Sequence, residues 1–493
     1  MKKNIFGTLL QLESLFLILT SLVSLLYKET DWWIFMTCAI ISFFIGAISI
    51  SLSKWQAKNS KIERYLSRAD SFMVVALTWV LFSFIGMIPF IKIEGMSITD
   101  AFFETMSGFT TTGSSVISDI DGLGYGLKFW RSITQWMGGL GIVVFTFALV
   151  PTGEMRNNNI FSAEATGISL DKFRPKIGST ARRLLAIYLI LTAICAACYY
   201  VGPMDLFDSI CHALTTTATG GFSTHKASIA HFNSPYIEYV CAIFMILSSL
   251  NFGMYYYAFI KRWDIIRNNE ELNVFLKIVL FAVIIFVLLF NFSSYTMDNI
   301  SSLPIGIEEE FRSALFHVAT IISSTGFAAS KYDYVAWGNA YLLPTILLMI
   351  IGSCAGSTSG GVKVVRFIVA FKSIHNEFLK QLHPRAILSV YLGGRVVSNE
   401  RVRRTLSFII IYMALVVIGI TIMSFLNIDN ITGFGSTISA LSNIGPGAGL
   451  TGPASNYSEM HPVAKWLMSF YMLVGRLEIY TVLFLFMPSL YKK

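Results

Sequence analysis

The chain has 493 residues, of which 54% are hydrophobic, 14% aromatic and only 13% charged, about half of the roughly 25% charge of a soluble domain. With a mean hydropathy of +0.63, this composition excludes a string of soluble domains and points to an all-α polytopic protein of the lipid bilayer. A net charge of +8 would suit a nucleic-acid binder, so the placement of the basic residues decides that matter.

Apolar runs near the roughly 20 residues that a spanning helix needs cover 9–27, 33–53, 71–92, 128–150, 184–202, 236–260, 274–293, 338–374 (interrupted), 405–426 and 463–487. Ten spans place both termini on one side. With that side cytoplasmic, 27 of the 37 Lys and Arg residues fall at the two termini or in the stretches 54–70, 151–183, 261–273 and 363–404, as the positive-inside rule requires. Dispersed beside helix ends, they face anionic lipid and leave no nucleic-acid surface. A small excess there suits an acidic partner. The first run follows Lys2 and Lys3 but carries Gln11 and Glu13 and lacks a small-residue cleavage site, so it reads as a retained helix and not a signal peptide.

Along this order a repeat emerges. Taking Gly113, Gly221, Gly326 and Gly445 as anchors, spaced by 108, 105 and 119 residues, the preceding segments align without gaps. Thirteen residues before each anchor stand Asp100, Asp208, Ser313 and Thr432, all favoured helix N-caps. Six before stand Ser107, Thr215, Thr320 and Ser439; two before stand Thr111, Thr219, Ser324 and Asn443. Nine before stand Glu104, His212, His317 and Ser436, expected to support the helices by hydrogen bonds. Each stretch predicts a cap, a helix of about ten residues and a polar segment closing on glycine. Such a helix is about 15 Å long and enters the hydrocarbon without crossing it. Its C-terminus favours a cation at mid-membrane, and the non-helical segment after it survives there only by lining a cavity. Four such units around one axis supply a ring of backbone carbonyls, the chemistry that coordinates dehydrated K⁺. Ser/Thr/Gly-rich loops between spans are common singly; four in register set this chain apart.

The run from Gly352 through Gly356 to Gly360 and Gly361, with Ser353, Ser357, Thr358 and Ser359, is a poor helix former. Halfway through the bilayer it predicts a flexible plug below the ring; the alternative is a small-xxx-small helix contact. Arg476 lies within the last apolar run, where a charge is costly unless it faces the bundle interior. It is expected to pair with carbonyls of the glycine run, with Glu478 a competing partner; the alternative is an ion pair with no gating role. Cys195 and Cys198 form a CxxC without the strand pattern of a redox site and read as helix-contact residues. The seven histidines show no paired-ligand spacing, and no phosphate-cradling loop or nucleophile motif is present.

The segments Phe109–Gly113, Thr217–His225, Ser323–Phe327 and Ser442–Gly447, with Gly352–Lys363, resemble the Trk/Ktr/HKT superfamily of potassium transporters, and specifically its larger Trk-type membrane subunit. The likeness spans nearly the whole chain, including the extra N-terminal helix pair. It implies an N-terminal pair (1–70) and four span, pore helix, span units (71–183, 184–273, 274–400 with a gating loop at 352–361, and 401–493) around a central ion pore. It implies a transporter rather than an enzyme, with K⁺ in the filter as its ion and no organic cofactor. The filter positions are Thr111, Thr112 and Gly113; Thr219, Gly220 and Gly221; Ser324, Thr325 and Gly326; Asn443, Ile444 and Gly445. The gate is Gly352, Gly356, Gly360, Gly361 and Arg476. The resemblance further implies a homodimer in the bacterial inner membrane and a cytoplasmic Rossmann-type nucleotide-binding ring as partner. A Na⁺- or H⁺-coupled symporter is the alternative, although symporters usually show two inverted halves with ionisable residues at the midplane.

Overall fold

The computed structural model describes residues 2–59, 68–139, 141, 177–296, 306–329 and 333–487. The second half of the expected span 128–150, most of 151–183, part of 54–70 and the basic tail Lys492 and Lys493 lie outside the described residues. Among the described residues, six helices have the length and apolarity to cross a bilayer, or eight if two bent pairs each count as one crossing. The chain is a multi-pass helical membrane protein.

The N-terminal pair is α1 (Lys2–Leu26) and α2 (Trp32–Asn59), tied inside the apolar layer where Ser42 Oγ donates to Glu13 Oε2 at 3.0 Å and to Leu10 O at 2.8 Å. Helix α3 (Arg68–Gly86) continues after a break as α4 (Ile88–Ile93), followed by a short helix α5 (Ile98–Phe109) and then α6 (Tyr125–Gly139). The same plan recurs: α7 (Ile177–Val201), short α8 (Leu206–Thr217) and α9 (Pro235–Ser248), which bends by 92° into α10 (Phe252–Phe259). A short connection, α11 (Trp263–Arg267), leads to α12 (Glu270–Thr296), short α13 (Ile307–Ile322) and α14 (Asn339–Ile351). The fourth unit is α16 (Asn399–Phe425), short α17 (Asn430–Ser442) and α18 (Pro462–Arg476), which turns by 117° into α19 (Ile479–Leu483) and the turn after it. Among the described residues a long helix, a short helix and a further helix thus follow one another four times.

The expected span 338–374 is two helices. After α14 the chain runs without helix from Gly352 to Lys363 and resumes as amphipathic α15 (Val364–Leu382). The run is therefore not a small-xxx-small helix face, because Gly352, Gly356 and Gly361 adopt φ of +66°, +75° and +78°, outside the helical region. The basic stretch 363–404 also forms the hairpin β1 (Val390–Leu392) and β2 (Arg395–Val397).

The capping assignment needs correction. The N-caps are Ser97, Asp205 and Asp429, whose side chains accept from the amides of Asp100, Asp208 and Thr432. These three residues are thus the third helical positions, one turn in, and α13 starts six residues before Ser313. Polar and acidic residues suit both the cap and the first turn, which is where Asp100, Asp208 and Thr432 lie; Ser313 lies in the second turn of its helix. The short helices have 12, 12, 16 and 13 residues, somewhat longer than expected yet still too short to span.

Candidate functional site

The four short helices end alike. Thr111, Thr219, Ser324 and Asn443 adopt left-handed backbone, with φ of +53°, +55°, +54° and +53°. The amide of the following residue reaches back into the helix: Thr112 N to Ser107 O and Gly220 N to Thr215 O at 2.9 Å, Thr325 N to Thr320 O and Ile444 N to Ser439 O at 3.0 Å. This is the Schellman ending, usually built on glycine. Three of the four positions hold a hydroxyl residue in that conformation, at a cost of about 1–2 kcal/mol each.

The anchor glycines follow two residues later, all with positive φ (+85°, +82°, +81° and +105° for Gly113, Gly221, Gly326 and Gly445). Their surroundings close a cycle. A Cβ on Gly113 would collide with Gly220 O, on Gly221 with Thr325 O, and on Gly326 with Ile444 O; on Gly445 it would press upon Thr112 O. Each glycine thus lies against a carbonyl of the next unit, and the fourth returns to the first. Gly221, and not Gly220, is the second anchor on both counts. Asn443 Nδ2 donates to Thr112 Oγ1 at 3.0 Å and Ser114 Oγ donates to Gly445 O at 3.0 Å, joining the fourth unit to the first. A cavity of about 120 Å³ opens over the four glycines.

All twelve residues assigned to the filter from sequence meet at this ring, though their groups are not equally available. Gly220 O accepts from Gln135 Nε2 at 2.7 Å, and Gly445 O accepts from Tyr457 OH at 2.9 Å as well as from Ser114. Thr111 Oγ1 and Asn443 Oδ1, by contrast, are buried with no hydrogen-bond partner. The donors offered at the ring are oxygens of backbone, hydroxyl and amide groups, the ligand type that suits a hard cation.

Behind the ring, Glu104 (0% exposed) pairs with Arg131 (1%) at 2.9 Å. The same carboxylate accepts from Val116 N at 2.9 Å and Ser115 Oγ at 3.0 Å, while Arg131 Nη1 donates to Ser223 O at 2.9 Å. One buried ion pair thereby braces the segments that follow the first and second anchors, and both partners make further hydrogen bonds, as burial of such a pair demands. His212 contacts Ser223 Oγ and Asp208 O at 2.9 and 2.8 Å, and His317 contacts Thr345 Oγ1 at 2.9 Å. Ser436, in the fourth unit, bonds back to Thr432 O at 2.5 Å. Arg131 and Gln135 escaped the sequence reading, although they carry the signal that singled out Arg476: ionisable or amide groups inside an apolar run.

Beneath the ring lies the glycine-rich loop 352–363. Gly360 N donates to Ser324 Oγ at 2.7 Å, Thr219 Oγ1 donates to Thr358 Oγ1 at 3.2 Å, and a Cβ on Gly360 would collide with Ser442 O. The loop therefore touches the ends of three of the four short helices. Its ends pinch together through Val362 N to Ile350 O and Lys363 N to Ile351 O, and Ala355 N donates to Glu271 Oε1 at 2.7 Å. Arg476 donates to Thr358 O in this loop and to Gly138 O and Gly139 O at the end of α6. The expected contact between Arg476 and the loop is present, but two details differ. Arg476 is the last residue of α18, at the break and not inside a continuous span, and Glu478 pairs instead with Arg366 at 2.6 Å. Lys363, the last residue of the run singled out from sequence but given no role there, is 2% exposed and donates to Ser359 O within the loop.

Comparison with known proteins agrees with this architecture. The TrkH family model, described as a cation transport protein, matches residues 36–491. The Trk system potassium uptake protein TrkH of Escherichia coli K12 is 34% identical over 99% of both chains, and TrkG of the same strain is 34% identical over 97% of this chain and 96% of its own. The crystal structure of the potassium transporter TrkH from Vibrio parahaemolyticus superimposes with a TM-score of 0.85 at 30% identity, covering 99% of each chain. The chain belongs to the TrkH family of cation transport proteins.

Proposed function

We propose that this protein mediates potassium uptake through a gated single-chain pore, passively and down the electrochemical gradient. The observation that carries this reading is the closed cycle of four left-handed helix ends, each anchor glycine seated on the next unit's carbonyl. Four helix C-termini converge there, so their partial negative charges favour a cation, and oxygen donors replace its hydration shell. The filter comprises the twelve residues named above; the gate is the loop carrying Gly352, Gly356, Gly360 and Gly361, held by Arg476. The names of the relatives, Trk system potassium uptake proteins, support K⁺ as the transported ion.

The distribution of basic residues supports cytoplasmic termini, and hence the glycine-ring cavity opens outward. The family reading adds a homodimer and a cytoplasmic Rossmann-type nucleotide-binding ring acting on the face that carries α15 and the hairpin. The test is ⁸⁶Rb⁺ flux in liposomes holding the purified protein, with neither a Na⁺ nor an H⁺ gradient. Flux under those conditions is the expected result; strict dependence on a second ion overturns the passive pore in favour of a coupled symporter.

A further inference from the structure

At the rim of the outward cavity Asp121 meets two histidines, His225 and His231, that lie more than 100 residues further along the chain. Asp121 follows the first anchor, His225 follows the second, and His231 lies in the turn Ser228–Phe232. Their ligand atoms all lie within 4.8 Å of one another. The His225 and His231 rings are parallel, 2° apart in plane at 3.5 Å, and Phe232 stands edge-on to both. Asp121 Oδ1 is 2.8 Å from His225 Nδ1. On the other side of the ring, His225 Nε2 is 3.0 Å from Asp208 Oδ2, whose second oxygen accepts from Thr224 Oγ1 at 2.6 Å.

We infer that Asp121, His225 and His231 form a binding site for a divalent transition-metal ion of the Zn²⁺ class, and that the bound ion lowers cation entry. Two imidazole nitrogens and a carboxylate oxygen are the donor set that Zn²⁺ takes, with water in the fourth position, whereas K⁺, Mg²⁺ and Ca²⁺ prefer oxygen alone. Asp208 supplies the outer carboxylate that orients a ligating histidine: it accepts the Nε2 proton, which leaves the Nδ1 lone pair for the metal. An ion triad of Asp121, His225 and Asp208 would account for the two carboxylates but gives no role to His231, whose ring lies face to face with His225. The metal joins the first unit's loop to the second's, and places added positive charge beside the entrance.

Binding displaces the proton on His225 Nδ1 to solvent, so affinity falls as pH falls. The groups facing that imidazole are Asp121, Asp208, His231 and His212, with Lys128 near Asp121. The Asp208 and Asp121 carboxylates hold His225 above its ordinary value.

The lowered-entry half of this inference rests on the pore reading; the binding half does not. Co²⁺ is titrated into the purified full chain in KCl, its visible absorption read and then displaced with Zn²⁺. The expected result is one Co²⁺ per chain, with affinity reduced more than about tenfold by His231→Ala and Asp121→Asn and about tenfold by Asp208→Asn, but retained in His375→Ala, which alters an exposed histidine on α15. Binding undiminished in both His231→Ala and Asp121→Asn, or none below about 1 mM, overturns the site. In liposomes, Zn²⁺ lowers ⁸⁶Rb⁺ flux of the wild type, and the ratio of flux with and without Zn²⁺ returns towards one in His231→Ala; equal ratios overturn the effect on entry. No zinc-free flux in the wild type defeats the pore reading while the Co²⁺ result stands.

Discussion

At the level of Gly113, Gly221, Gly326 and Gly445 every unit contributes the same backbone: a Schellman ending, a left-handed residue and a glycine in positive φ. One layer beneath, the units differ. The third supplies the loop 352–363, the fourth supplies Arg476, and the first supplies the carbonyls of Gly138 and Gly139 that Arg476 holds. Equal parts suit ion coordination, because a dehydrated cation needs ligands on all sides. Unequal parts suit a switch, because one loop with two arrangements can block an axis that four identical elements leave open. The upper layer is fixed by carbonyl contacts that tolerate no side chain; the lower is fixed by scattered hydrogen bonds, those of Ser324, Glu271 and the Arg476 guanidinium among them.

The largest expected effect breaks the equality of the ring. Gly221→Ser or Gly326→Ser places a Cβ on the carbonyl of the next unit, Thr325 O or Ile444 O, in a left-handed conformation that a side chain resists. The added Cβ displaces that carbonyl from the ring, so K⁺ over Na⁺ discrimination should fall roughly tenfold, which corresponds to about 1.4 kcal/mol of lost differential ligation. Paired Rb⁺ and Na⁺ flux measurements check it, and unchanged ion ratios in both variants remove the filter assignment.

Next in size is the latch. Arg476→Ala frees the carbonyls of Thr358, Gly138 and Gly139; leaving buried acceptors unpaired costs about 1–3 kcal/mol per group in the closed arrangement. Basal flux should rise about tenfold, by the arithmetic of a two-state equilibrium, while ion ratios stay as in the wild type. Single-channel recording in planar bilayers gives the open fraction, and a value equal to the wild type's removes Arg476 from the gate.

A smaller effect separates two equivalent positions. Thr111 and Ser324 share φ near +54°, so replacing either by glycine relieves the same strain and adds the same chain entropy. Their hydroxyls differ: Ser324 Oγ accepts from Gly360 N at 2.7 Å, whereas Thr111 Oγ1 has no partner. Thr111→Gly should therefore exceed Ser324→Gly in stability by about 1–3 kcal/mol, the cost of stranding the Gly360 amide. Thermal unfolding in detergent reads the difference, and equal midpoints would mean that the loop does not lean on Ser324.

The same contrast explains what was legible in the sequence. The ring was, because its chemistry is local: a cap, a hydroxyl turn and a glycine recur at fixed spacing, and glycine is required by φ and by contact at all four anchors. Even the misassigned caps Asp100, Asp208 and Thr432 fell in the correct turn. Partners across the fold were not. Glu478 stands two residues from Arg476 yet bonds Arg366 on α15, because the chain reverses direction at Glu478 itself, where φ is +61°. Gln135 bracing Gly220, Glu271 holding Ala355 and Arg131 reaching Ser223 are each more than 80 residues apart, and no periodicity reports such pairs. The marker available was the cost of burying these groups, which flags the residue without naming what it touches.

The smallest expected effect lies at the rim, where Asp121 of the first unit binds His225 and the Lys226 amide of the second. Asp121 and Asp208 hold the His225 imidazole above its ordinary 6.5, and the His225 hydrogen bond helps hold Asp121 below its ordinary 3.8. A raised histidine contributes stability that is fully present below pH 6.5 and lost as pH rises through its folded value; a lowered aspartate contributes stability that is present above pH 3.8 and lost as pH falls through its folded value. With metal removed by chelator, the tie is thus strongest between about pH 4 and 6.5. Asp121 is 52% exposed, so solvent screening keeps the gain near the 0–1 kcal/mol typical of surface pairs. Amide hydrogen exchange across 222–232, corrected for intrinsic rates, should show protection declining above that window by less than about fivefold, and His225→Gln should flatten the profile. A profile that stays flat in the wild type would place the joint between these units in the buried Glu104–Arg131 pair alone.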